Sequence, residues 1–243
     1  MDHASLIANA YTDYDDHRYQ ARSAYLTNAR RFAQIVRLIG DMEHVLDIGS
    51  AHGDLAIRLM ALGKDVDGVD DSEVSVQMCK EKGVRVHKVD IETDCLKELG
   101  KFDVVLMLEI IEHLLDPVDV LRKVATLVTP DGFMIITSPN AAYLKCRLDL
   151  LRGLVPSFGE DRSLAREPRP YNLLHKTPLS IGDLRGCFAM AGLQLLHMEG
   201  EEYASSALWA TPGLVQLRTI LRNTRPTLFA ASVIVTVRPI RTY

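Results

Sequence analysis

A doubly wound, mostly parallel α/β sheet is the fold class this 243-residue chain predicts. Three observations carry it. Short apolar runs alternate with helical periods from residue 44 to residue 137, each run ends near a glycine or an acid, and the usage is that of a globular protein, 47% apolar and 25% charged. Fifteen glycines, ten prolines and the lack of heptads or low-complexity tracts exclude collagen-like, coiled-coil and disordered chains.

Residues 18–39 place apolar side chains three or four apart at Tyr25, Ala29, Phe32, Ile35, Val36 and Ile39, an amphipathic helix that Gly40 stops. His44 to Gly49 is a buried strand closed by glycine, and residues 54–62 are helical up to Gly63. Val66 to Asp70 is the second strand, after which Ser72 and Glu73 supply a cap and a first-turn acid for a helix to Lys82. Val84 to Val89 is the third strand. Phe102 to Leu108 is the fourth, apolar nearly throughout, as a strand covered on both faces must be. Asp116-Pro117 opens a helix to Val128, Thr129 to Gly132 is a turn, and Phe133 to Thr137 is the fifth strand. Such alternation requires right-handed crossovers between parallel strands.

Beyond Ser138-Pro139-Asn140 the alternation stops until Thr177-Pro178, a second cap-and-proline start, with Gly192 past its helix end. One helix is expected over 141–152, and a gap this long reads as a functional lid over 141–176. Leu193 to Met198 and Phe229 to Val237 are the last strands, separated by a moderately amphipathic helical stretch over 203–222. No run reaches the about 20 apolar residues of a membrane span.

Charge is uneven. The net charge of −4 argues against a dedicated nucleic-acid binder, yet from Tyr203 onward there are five arginines and no acid. That end suits an anionic substrate, peripheral contact with a lipid surface, or a solvated face. Cys79, Cys95, Cys146 and Cys187 show no metal or redox spacing and read as free thiols in a reducing compartment. With no basic-then-apolar leader at Met1, the expected localisation is cytoplasmic.

Val45 to Gly53 runs strand, tight turn, helix. Small residues at 49, 51 and 53 let a ligand approach the backbone, and the helix start offers N–H groups to an anion. A dinucleotide turn wants a small third position, where this chain has Asp54, so the spacing disfavours that ligand. Asp47, Asp70 and Asp90 end strands one, two and three. A carboxylate at Asp70 can accept ribose hydroxyls, and one at Asp90 can meet an adenine amino group. Helix capping is the bland alternative for all three.

Taken together, Val45–Gly53, Val66–Ser72, Lys88–Glu92, Phe102–Pro117, Pro130–Asn140 and His175–Pro178 resemble the class I S-adenosylmethionine-dependent methyltransferases, nearest in motifs to the quinone-pathway O-methyltransferase-like subgroup. The resemblance implies a Rossmann-like seven-stranded sheet with the last strand antiparallel, helices on both faces, and S-adenosyl-L-methionine as cofactor. It assigns Gly49, Ser50, Ala51 and Gly53 to the methionine end, Asp70 to the ribose, Asp90 with Ile91 to the adenine, and the backbone near Leu108 to the methionine amino group, with Asp47 and Asp71 also among the cofactor-binding residues. The family's middle glycine is Ala51 here, which costs little if its φ stays negative. The domain organisation expected is a single domain over 1–243: a helical cover (1–40), a cofactor-binding core (41–140), the lid (141–176) and a C-terminal part (177–243).

Glu109, Glu112 and His113 follow strand four at spacings that put them on one side of a helical turn, and His175 lies past the lid. A similar E-x-x-E-H with a later His occurs in two metal-using branches, quinone-pathway O-methyltransferases and small-RNA 2′-O-methyltransferases. Three alternatives stand. Glu109, Glu112, His113 and His175 hold a divalent metal that acidifies a hydroxyl; His113, with Glu112 and His175, acts as base or acceptor-orienter; or Glu112 pairs with a lid arginine while His113 packs beside the cofactor. Tyr143, Arg147, Arg152, Tyr171 and the 203–222 stretch are candidate pocket walls. The function expected is S-adenosylmethionine-dependent methylation of a small molecule, at oxygen. The alternatives are RNA 2′-O-methylation, which lacks a basic aromatic module here, and a non-catalytic cofactor-binding scaffold or activating subunit.

Overall fold

The computed structural model describes residues 28–154, 156, 175–201, 220–221 and 224–241. The helical cover before residue 28, most of the lid including Tyr171, and most of the 203–222 stretch lie outside the described residues. The chain divides into two compact units, one up to Val89 with 161–169, the other comprising 90–160 and 170 onward.

In the first unit, helix α1 (Ala29–Ile39) is capped by Asn28, whose Oδ1 accepts the Arg31 N–H at 2.9 Å. Strand β1 (His44–Ile48), helix α2 (Asp54–Met60), strand β2 (Asp65–Asp70), helix α3 (Glu73–Glu81) and strand β3 (Arg85–Lys88) follow. Both strand pairs are parallel, Val45 beside Val66 and Gly68 beside Val86. Ser72 caps α3, accepting the Ser75 N–H at 3.4 Å, as its position predicts. Gly68 is a close-approach glycine: a Cβ there would stand 2.7 Å from Ser50 Oγ.

In the second unit, strand β4 (Phe102–Leu108) is parallel to strand β5 (Val128–Pro139), and helix α4 (Pro117–Ala125) connects them. Asp116 Oδ1 accepts from Val118 N and Asp119 N at 3.1 and 3.0 Å, with Pro117 at the first helical position. Helix α5 (Leu144–Leu151), helix α6 (Ile181–Met190), strand β6 (Leu193–Glu201), the short helix α7 (Pro226–Phe229) and strand β7 (Ser232–Pro239) complete it. Strand β7 is antiparallel to both β5 and β6. The seven strands form one sheet in the order β3-β2-β1-β4-β5-β7-β6. Val104 to Leu108, Met134 to Ile136 and Val233 to Val235 are essentially buried, as strands covered on both faces require. No helix among the described residues is long and apolar enough to cross a membrane.

Two local expectations change. Thr129 to Gly132 is no free turn but an irregular part of β5, with pairing jumping from Phe102–Val128 to Val104–Phe133. Gly132 permits it, since a Cβ would sit 2.5 Å from the Asp103 carbonyl. Helix α6 starts at Ser180, not Thr177, because Ser180 and Asp183 form a reciprocal capping box. Asp183 Oδ2 accepts the Ser180 N–H at 2.9 Å, and its bonds to Ser180 hold the Asp183 carboxyl below its ordinary value. Thr177 is committed elsewhere, as described below.

Candidate active site

The first unit contributes a turn built from main chain. Gly49 N and Ser50 N both donate to the Val69 carbonyl, at 2.7 and 3.0 Å, and Gly53 N closes onto the Ser50 carbonyl at 2.9 Å. Three turn residues are left-handed: Gly49 at φ 69, Ala51 at φ 50 and Gly53 at φ 75. The condition under which Ala51 would cost little, a negative φ, is therefore not met. A non-glycine residue in this region costs roughly 1–2 kcal/mol, so the turn must hold it from outside. It does so twice. Asp70 Oδ2 accepts the Ala51 N–H at 2.8 Å, and the Cys79 thiol donates to the Ala51 carbonyl at 3.2 Å. Burial pushes the Cys79 thiol up, with the charges of Asp47 and Asp70 adding to it, so it stays a donor at neutral pH.

Asp70 is 6% exposed and already engaged, its other oxygen accepting from Ser72 N at 3.0 Å. Asp47 and Ser50 are buried in the same unit, and Asp71 is exposed. Glycine at 53 is required by the turn's own packing: φ is 75, and a Cβ would meet Cys79 Sγ at 3.1 Å and Val84 Cγ2 at 3.3 Å. Sequence reasoning missed Arg31. It shares the α1 stripe of Ile35 and Ile39, is 3% exposed, and so buries a cation on the core face. An arginine on an apolar stripe was the available signal.

In the second unit, Asp90 Oδ1 accepts the Glu92 N–H at 2.8 Å, the chief reason its carboxyl lies below the ordinary range. Ile91 is half-buried and Leu108 fully buried at the end of β4. Glu109 is left-handed at φ 55, its N–H donating to Thr137 Oγ1 at 2.9 Å. A single 3₁₀ turn over Ile111–His113 then carries Glu112 and His113. It is too short to align Glu109 with them. Glu112 is 1% exposed, and its Oε1 lies 3.9 Å from His113 Nε2. The His113 and His175 rings meet edge-on, centroids 4.9 Å apart and planes at 67°. One ligand atom from each of Glu112, His113 and His175 lies within 4.8 Å of the others. The structure thus gathers three of the four metal candidates.

Thr177 brings His175 there. Its N–H donates to the Glu112 carbonyl at 3.0 Å and its hydroxyl to the Leu114 carbonyl at 2.7 Å. One carboxylate with two imidazoles is a donor set that suits Mn²⁺, Fe²⁺ or Zn²⁺, so the residues fit a divalent ion. Burial, chiefly, pushes Tyr143 up to about 12 and Cys146 up to about 11, so neither is a base near neutral pH. Arg147 bonds the Ala142 carbonyl and Arg152 lies 3.9 Å from Asp149, local roles within α5.

Residues 17–198 match the family model described as a methyltransferase domain. The chain belongs to this family. It transfers methyl groups from S-adenosylmethionine. Among curated relatives, the ubiquinone biosynthesis O-methyltransferase of Bordetella avium is 28% identical over 84% of this chain and 83% of its own. The protein of that name from Ralstonia nicotianae is 31% identical over 66% and 67%. Among solved structures, a methyltransferase from Archaeoglobus fulgidus superposes with a TM-score of 0.58 at 20% identity, covering 98% of this chain and 100% of that one. One from Mesorhizobium loti gives 0.60 at 18%, covering 88% and 99%. These structures share the methyltransferase's fold.

Proposed function

We propose that this methyltransferase methylates the oxygen of a small-molecule hydroxyl in the cytoplasm. The relatives' names support it, and so do the four cysteines, none of them in a disulfide. The observation that carries the reading is the Glu112–His113–His175 cluster. A neutral amine or a thiolate attacks without help, whereas a hydroxyl must lose its proton as it attacks. The cluster answers that need, and the net charge of −4 disfavours an RNA 2′-hydroxyl.

In this reading Asp47, Gly49, Ser50, Ala51, Gly53, Asp70 and Asp71 hold the cofactor in the first unit. Asp90, Ile91 and Leu108 keep the roles the resemblance gives them. Bound S-adenosylmethionine supplies a methyl already activated on a sulfonium. His113 takes the acceptor's proton, and the Glu112 carboxylate beside it favours the imidazolium that forms. His175 orients the acceptor oxygen. In the alternative in which Glu112, His113 and His175 hold a divalent ion, the two imidazoles would be ligands and not the base, and the ion would lower the acceptor's pKa.

Incubation with methyl-labelled S-adenosylmethionine and fractionated cell extract tests this. Label should enter a small-molecule fraction as an ether and vanish in His113→Ala. Label in RNA, or in amines alone, contradicts the reading. Calorimetric titration with Mn²⁺ separates the metal part: heat lost in His175→Ala supports it, and no heat in the wild type removes it.

A further inference from the structure

One carboxylate ties together the two chain segments that supply the imidazoles. Glu92 Oε1 accepts the Leu115 N–H at 2.6 Å, and Glu92 Oε2 lies 3.7 Å from Lys176 Nζ. Leu115 is two residues past His113, and Lys176 directly follows His175. Glu92 is itself anchored, its N–H donating to Asp90 Oδ1 at 2.8 Å and its carbonyl accepting from Lys123 Nζ at 2.6 Å. The two contacts of the carboxylate are unequal. The ion pair is long and its lysine 48% exposed, so it contributes little. The short bond from a main-chain N–H to an ionised acceptor, on a side chain only 24% exposed, is the strong one.

We propose that Glu92 is a positioning residue for methyl transfer, holding the loop after His113 at Leu115 so that the His113 imidazole stays in contact with the His175 imidazole that Thr177 brings to it. It touches neither ring. It fixes the main chain at Leu115, while Thr177 fixes the same loop at Glu112 and Leu114. The inference rests on the cluster's role proposed above, but the NOE part of its test needs no metal and no acceptor.

The measurement is an NOE between the ring protons of His113 and His175 in histidine-labelled protein, signals being assigned from His113→Ala and His175→Ala. The wild type should show the cross-peak. Glu92→Gln should keep it, because the amide oxygen still accepts the Leu115 N–H. Glu92→Ala and the similar-sized Glu92→Leu should lose it at nearly unchanged Tm. Methyl transfer should then fall roughly tenfold to a hundredfold in kcat, with KM for S-adenosylmethionine unchanged. A cross-peak that survives in Ala and Leu overturns the proposal. So does its loss together with a collapse of Tm, which would make Glu92 a structural residue. Failure of the Mn²⁺ titration removes the metal reading and leaves this one standing.

Discussion

In the first unit the turn over 49–53 is made of main-chain groups, Gly49 and Ser50 donating to the Val69 carbonyl and Ala51 to the Asp70 carboxylate. In the second unit the proposed chemistry hangs on side chains, Glu112, His113 and His175, drawn from two distant stretches of sequence. The turn must present a shape, which backbone supplies and small residues permit. The cluster must move a proton, which only side chains do. The contrast teaches that cofactor affinity and turnover can be damaged separately.

The largest expected effect is on turnover. Glu112→Gln keeps the volume and removes the charge beside His113, so kcat should fall by roughly 10²–10⁴. Affinity for S-adenosylhomocysteine should stay within about twofold. A parallel loss of affinity would erase the distinction between the units. Next comes Asp70→Ala, which strips the acceptor from Ala51 N and Ser72 N. Leaving such donors unsatisfied costs about 1–3 kcal/mol, so calorimetry should show S-adenosylhomocysteine bound roughly tenfold to a hundredfold more weakly. Asp70→Asn, which keeps one oxygen, should lose less.

Legibility in the sequence follows the same divide. Gly49, Ala51, Gly53 and Asp70 lie close along the chain, and the spacing of small residues and acids by itself betrays a turn. The cap at Asp116 is legible for the same reason, being local. The Glu-His pair is visible locally, whereas its union with His175 is suggested only by the resemblance and not by any local spacing. That union depends on Thr177 bonding Glu112 and Leu114, a long-range contact that overrides the local signal for a helix cap at Thr177-Pro178. Glu92 leaves no trace at all, because a carboxylate accepting a distant N–H has no sequence period. The left-handed Ala51 escapes notice because alanine itself argues for negative φ.

Two smaller effects concern stability. Gly132→Ala would drive a Cβ into the Asp103 carbonyl, an overpacking cost of about 1–3 kcal/mol. Thermal unfolding should then move down by roughly 2–4 °C per kcal/mol. Ala51→Gly should shift Tm slightly upward, since relief of the left-handed strain of about 1 kcal/mol outweighs the extra freedom of the unfolded glycine. A downward shift would mean that the turn is not strained. Smallest of all is a pH effect at Asp90. Its carboxyl is lowered in the folded state, so its contribution is present above the ordinary value of 3.8 and is lost as the pH falls through the lowered one. Acid unfolding of Asp90→Asn should be less steep below pH 3.8 than that of the wild type.

The central claim, that the cluster serves the acceptor and not the cofactor, is tested most directly on His113→Ala by pairing calorimetry of S-adenosylhomocysteine with single-turnover methyl transfer. The account predicts wild-type affinity with transfer all but abolished. Affinity lost along with transfer, or transfer left intact, would contradict it.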